Sequence, residues 1–67
     1  MEDIKYPEVE VQLVGESGNA GSIMGRVIRA MRKSGVSMEE CNDFRMEAMS
    51  GDYNHLLQTV MQWVSVS

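Results

Sequence analysis

Apolar and polar residues alternate from Glu8 to Leu13. Val9, Val11 and Leu13 fall on one face of an extended chain, and Glu8, Glu10 and Gln12 on the other. That pattern predicts a strand covered on one side. Pro7 opens it, at a first position where the missing N–H is tolerated. Val14 prolongs the apolar run and Gly15 ends it. The next residues, Gly15 to Gly21, read GESGNAG and predict a turn.

The period then changes. Ala20, Ile23, Met24, Val27, Ile28 and Met31 recur every three or four residues, which predicts an amphipathic helix over 20–33. Asn19 or Ser17 is its expected N-cap. Lys33, Ser34 and Gly35 close it, with a cation in the last turn and a glycine able to take positive φ. A second helix starts at Ser37. Ser37-Met38-Glu39-Glu40 fits a capping box, in which hydroxyl and carboxylate each take a backbone N–H. Cys41, Phe44, Ala48 and Met49 supply its apolar face. Gly51 stops it and Asp52 caps a third helix carrying Tyr53, Leu56, Leu57, Val60, Met61 and Val64. The tail from Trp63 alternates again and predicts a short strand. The expected fold class is α+β: an N-terminal strand, three short helices and a short C-terminal strand beside the first. Val9, Val11, Leu13, Ile23, Val27, Ile28, Met31, Phe44, Leu56, Leu57, Val60 and Trp63 are the expected core.

Length narrows this to one domain over residues 1–67. A chain this short buries only about 60% of its unfolded surface, so such domains lean on disulfides, metals or self-association. Cys41 is the only cysteine and His55 the only histidine. No internal disulfide or His/Cys zinc site can form, and no metal or cofactor is expected. That leaves association, so a homodimer is the expectation. Residues 1–5 carry Glu2 and Asp3 and no apolar run, unlike a secretory signal. No stretch reaches the about 20 apolar residues of a membrane span. With a lone cysteine, a cytoplasmic location and no membrane partner are expected.

Charge is segregated. Residues 1–25 carry Glu2, Asp3, Glu8, Glu10 and Glu16 against Lys5. Arg26, Arg29, Arg32 and Lys33 follow with no acid between them. Residues 34–67 carry Glu39, Glu40, Asp43, Glu47 and Asp52 against Arg45. Arg26, Arg29 and Lys33 share one helical face, and Glu39, Asp43 and Glu47 form a matching stripe on the second helix. The ordinary reading is a solvated face partly neutralised by its neighbour. The sharper one is a patch for an acidic partner. Nucleic acid fits poorly: the net charge is −4, and no aromatics interleave with the cations.

Two further patterns bear on chemistry. Gly18, Asn19, Ala20, Gly21 and Ser22 join a strand to a helix, where backbone N–H groups attract anions, and Arg26 lies one turn on. The loop lacks the lysine of a Walker motif and does not match GxGxxG, and any strand-to-helix turn favours such residues. Cys41, Asp52 and His55 offer a thiol, a carboxylate and an imidazole. A cap, a polar-face histidine and a small core hydrophobe explain them more simply, so no catalytic residue is expected. Seven methionines are many for this length. Met24, Met31 and Met61 fall on apolar faces. Met46 points away from Phe44 and is an interaction candidate with Arg26, Arg29 and Lys33.

The segments Tyr6-Pro7-Glu8-Val9-Glu10-Val11-Gln12-Leu13-Val14-Gly15, Gly18-Asn19-Ala20, Gly25-Arg26-Val27, Arg29-Ala30, Ser50-Gly51-Asp52-Tyr53-Asn54-His55-Leu56-Leu57 and Trp63-Val64 together resemble a group of short bacterial and phage proteins with no assigned activity. The resemblance spans nearly the whole chain. It implies a bacterial or phage origin and carries over no site residue. The function expected is a small non-enzymatic interaction module, of the kind a phage or mobile element uses on a host protein. The alternative is a protein that binds a small anion or nucleotide at the loop 15–22 and Arg26.

Overall fold

The computed structural model describes residues 3–13 and 18–67. Its elements run β1 (Tyr6–Val11), α1 (Ala20–Lys33), α2 (Met38–Ala48), α3 (Tyr53–Trp63) and β2 (Val64–Val66). The fold is α+β, with the strand order and three helices that the periodicities predict. β1 starts at Tyr6, two residues before the alternation, and stops at Val11 rather than Leu13. Leu13 nonetheless continues the line of pairing, because its N–H donates to the Ser67 carbonyl at 3.0 Å. Val14, Gly15, Glu16 and Ser17, which the sequence assigns to the strand end and turn, lie outside the described residues.

β1 and β2 form a two-stranded parallel sheet. Tyr6 pairs with Val64, Glu10 with Ser65 and Val11 with Val66, so β1 carries extra residues and bows between Tyr6 and Glu10. Pro7 sits in the bow, where its missing N–H leaves no ladder bond unmade. The Ser65 hydroxyl donates to the Pro7 carbonyl at 2.9 Å and so ties the bow to β2. α1 packs on β1 and on α2, α2 packs on α3, and α3 packs on β2.

Each helix starts with a side-chain cap. Asn19 Oδ1 accepts from the Ser22 N–H at 2.8 Å, Ser37 Oγ from the Glu40 N–H at 3.2 Å, and Asp52 Oδ1 from the His55 N–H at 2.9 Å. These satisfy N–H groups that a helix start otherwise leaves unpaired. α1 ends in a Schellman turn. Gly35 N–H donates to the Arg32 carbonyl and Val36 N–H to the Met31 carbonyl, with Gly35 at φ 96°. Only half of the expected capping box forms. Glu40 turns its carboxylate away from Ser37 to take the Tyr6 hydroxyl at 2.8 Å and the Lys5 ammonium at 3.1 Å.

The core gathers Val9, Val11, Ile23, Val27, Met31, Val36, Cys41, Phe44, Ala48, Leu56, Val60, Trp63 and Val64. Leu13, Ile28 and Leu57, expected there, are only partly buried, as is Met24. Ile28 shows why: it stands about 100° around the helix from Val27 and so leaves the inward stripe. Met61 is exposed. Thr59 is the one polar residue buried among the described residues. Its hydroxyl donates to the His55 carbonyl one turn back at 2.8 Å, which satisfies it.

Candidate functional site

Two open concavities lie beside α1. The first is a groove of about 540 Å³ lined by Gly21, Ser22, Gly25, Arg26, Arg29, Ala30 and Lys33, with Glu10 of β1 opposite. The helix turns its apolar stripe of Ile23, Val27 and Met31 inward. Its cationic face is therefore presented outward, with Arg26 half-buried and Arg29 and Lys33 exposed. Three of the residues expected to hold an anion, Gly21, Ser22 and Arg26, come together here with two further cations.

The rest of that expected set lies elsewhere. Ala20 lines the second concavity. Gly18 is held at α3, where the Tyr53 hydroxyl donates to its carbonyl. Asn19 is spent as the cap. Because its side chain occupies the Ser22 N–H, that donor is not available to an anion at the helix start.

The cations do not find the acidic stripe of α2. Glu39, Asp43 and Glu47 are exposed, and among the described residues no ion pair joins them to Arg29 or Lys33. The ion pair seen instead is Lys5 with Glu40, and the same ammonium stands 4.3 Å over the Trp63 ring. Tyr6 packs against Trp63 at 6.1 Å between ring centres, and Phe44 meets Trp63 edge-on at 5.5 Å. Donation from Tyr6, then from Lys5, holds the Glu40 carboxyl below its ordinary range. Its bond to Glu40, helped by desolvation, raises the Tyr6 phenol above its own. This cluster fastens β1 to α2 and α3.

The second concavity, about 250 Å³, is mainly apolar. Ala20, Met24, Ala48, Met49, Tyr53 and Leu56 line it, with Gly51 and Asp52 at the α2–α3 turn. Met49 and Tyr53 are exposed at its rim. Met46 lies one turn before Met49, also exposed, and lines neither concavity. Sequence reasoning placed Met24 and Met49 on the apolar faces of their helices, whereas Met24 is only partly buried and Met49 is exposed. The recess depends on how α1 crosses the α2–α3 turn, which periodicity within one helix does not show.

Cys41, Asp52 and His55 are not brought together as a reactive group. Cys41 is buried in the core. Asp52 caps α3. His55 Nε2 lies 2.9 Å from the Glu47 carbonyl and 3.1 Å from Ser50 Oγ, while Ser50 donates to the same carbonyl at 2.7 Å. A carbonyl only accepts, so Nε2 carries the proton in this bond. Imidazole and hydroxyl then both serve the open end of α2, and the ring nitrogen nearest Ser50 is not a base for it. Among the described residues no three His, Cys, Asp or Glu side chains are grouped to hold a metal ion, and no helix is long and apolar enough to cross a membrane. No family model, no curated protein and no solved structure matches the chain.

Proposed function

We propose that the chain is a small non-enzymatic interaction module that binds a protein partner through the recess rimmed by Met49 and Tyr53. One observation carries this reading: the recess is apolar, open, and edged by exposed methionine and tyrosine. Methionine adapts its shape to what it meets, and tyrosine gives contact area at low entropic cost. At about 250 Å³ the recess falls below the about 300–1,000 Å³ of small-molecule sites and suits an apolar side chain from a partner. Met46, one turn before Met49 on α2, is exposed and lines no part of the recess. The resemblance to short phage and bacterial proteins makes a host protein the natural partner. The test is capture from a bacterial extract by the immobilised chain, with mass spectrometry, comparing wild type and Met49→Lys at matched thermal stability. A protein retained by wild type and lost from the variant is expected. An identical retained set from both overturns the reading.

A second reading has its own observation, the meeting of Gly21, Ser22 and Arg26 with Arg29 and Lys33 in one groove. On this reading a phosphate or nucleotide binds there, and Arg26→Ala weakens it by about 1.5–3 kcal/mol through a lost charge-assisted bond. The occupied Ser22 N–H and the facing Glu10 place it second. An NMR titration with phosphate and nucleotides moves the amides of 18–26 if it holds. Unmoved amides end it.

A further inference from the structure

We propose that the cationic face of α1 receives the acidic face of α2 from a second copy of this chain, and that the two copies exchange this contact reciprocally. The proposal goes beyond the partner recess and uses a different surface.

Both faces are built by helical geometry. At 100° per residue, Arg26, Arg29 and Lys33 fall within an arc of about 60°, and Glu39, Asp43 and Glu47 within about 80°. Their lengths match: at 1.5 Å per residue the cations span about 10 Å and the carboxylates about 12 Å. Arg29, Lys33 and all three carboxylates are exposed. Within one copy the two stripes do not meet, because α1 and α2 turn their apolar stripes to a common core and their charged stripes to solvent. Among the described residues, Arg29 and Lys33 thus make no ion pair with Glu39, Asp43 or Glu47 of their own copy.

The floor of the groove agrees. Gly25 lies in the middle of α1 without positive φ, and a Cβ built there meets nothing within 4 Å. Its own fold gives no reason for a residue that weakens a helix relative to alanine. A helix laid against this face gains from the missing side chain.

The charge pattern selects the occupant. The four cations of α1 are confined to eight residues between two acidic stretches. A long polyanion would run onto those stretches and be repelled. The α2 stripe is short enough to stay on the cations, which outnumber the Glu10 carboxylate lining the same groove. Because each copy carries both faces, a two-fold axis makes both contacts at once and closes the assembly. The contacts are made of exposed charges, so the dimer is weak and sensitive to salt.

Sedimentation velocity tests this, with circular dichroism to confirm that each variant folds. The wild-type chain is expected to dimerise at low ionic strength and to dissociate as salt is raised. Arg29→Glu with Lys33→Glu, and separately Asp43→Lys with Glu47→Lys, are each expected to raise the dimer Kd by at least about tenfold, through like-charge contact. Mixing the two variants one to one restores a dimer containing one of each, which simple loss of a surface would not do. Should a double variant fail to fold, Lys33→Glu and Glu47→Lys are mixed in its place. Monomer mass for wild type up to about 1 mM at low salt, where even weak millimolar dimers are populated, overturns the proposal. So does a dimer indifferent to salt, a growing polymer, or a mixture that stays monomeric. None of these outcomes touches Met49, so the recess reading stands or falls separately.

Discussion

Phe44 has no exposed surface and meets the edge of Trp63 at 5.5 Å. Phe44→Ala removes that packing and opens a cavity that rigid helices cannot close, so a loss of about 3–5 kcal/mol is expected, read as a lower urea midpoint. Glu40 and Tyr6 set a pH dependence instead. Glu40 is held below its ordinary 4.5, so its contribution is present in full above that value and is lost as pH falls through the lowered one. Tyr6 is held above 10.0, so its contribution is complete below 10.0 and is lost as pH rises through the raised value. Glu40→Gln is therefore expected to flatten the acid limb of a plot of unfolding midpoint against pH. A limb as steep as that of wild type would refute the assignment. Phe44 was legible in the sequence because its helix repeats every three or four residues. The bond from Tyr6 to Glu40 was not, since it joins residues 34 apart and nothing local marks it.

Helix ends were the most legible elements, because a cap is decided within four residues. Ser37 and Asp52 cap as the sequence predicts, and Asn19, one of its two candidates, caps α1. Asp52→Ala is expected to cost about 1 kcal/mol, measurable in denaturant. The missing half of the capping box marks the limit of local reasoning, for Lys5 and Tyr6 offer Glu40 a bond that Ser37 cannot match. The glycines differ in the same way. A Cβ at Gly51 would lie 2.8 Å from His55 Cβ and Cγ, atoms fixed near the helix backbone. Gly51→Ala therefore destabilises, and the bond from His55 to the Glu47 carbonyl, followed by the imidazole NMR signals, shifts with it. Gly25→Ala meets open space and is expected to stabilise the monomer by about 0.5–1 kcal/mol. A lower thermal midpoint for Gly25→Ala would show that the chain itself needs the glycine.

Over the whole molecule, the sequence showed that a closing strand lies beside the first. It showed neither the parallel direction nor the bow at Pro7. Both depend on the path of three helices between the strands. The candidate surfaces follow the same division: the cationic face was legible from spacing along α1, and the apolar recess was not, because three helices meet to form it. The pairing of β1 with β2 also dictates an order of events. Two strands from opposite ends of the element order can join only after the helices between them have brought them near, so the entropy of that closure falls late in folding. The helices are therefore the expected nucleus, with the sheet expected to close last. Val64→Ala, at a fully buried position in β2, is then expected to speed unfolding while leaving the folding rate almost unchanged. If the folding rate falls by as much as the stability loss requires, the strands meet early and the order is reversed.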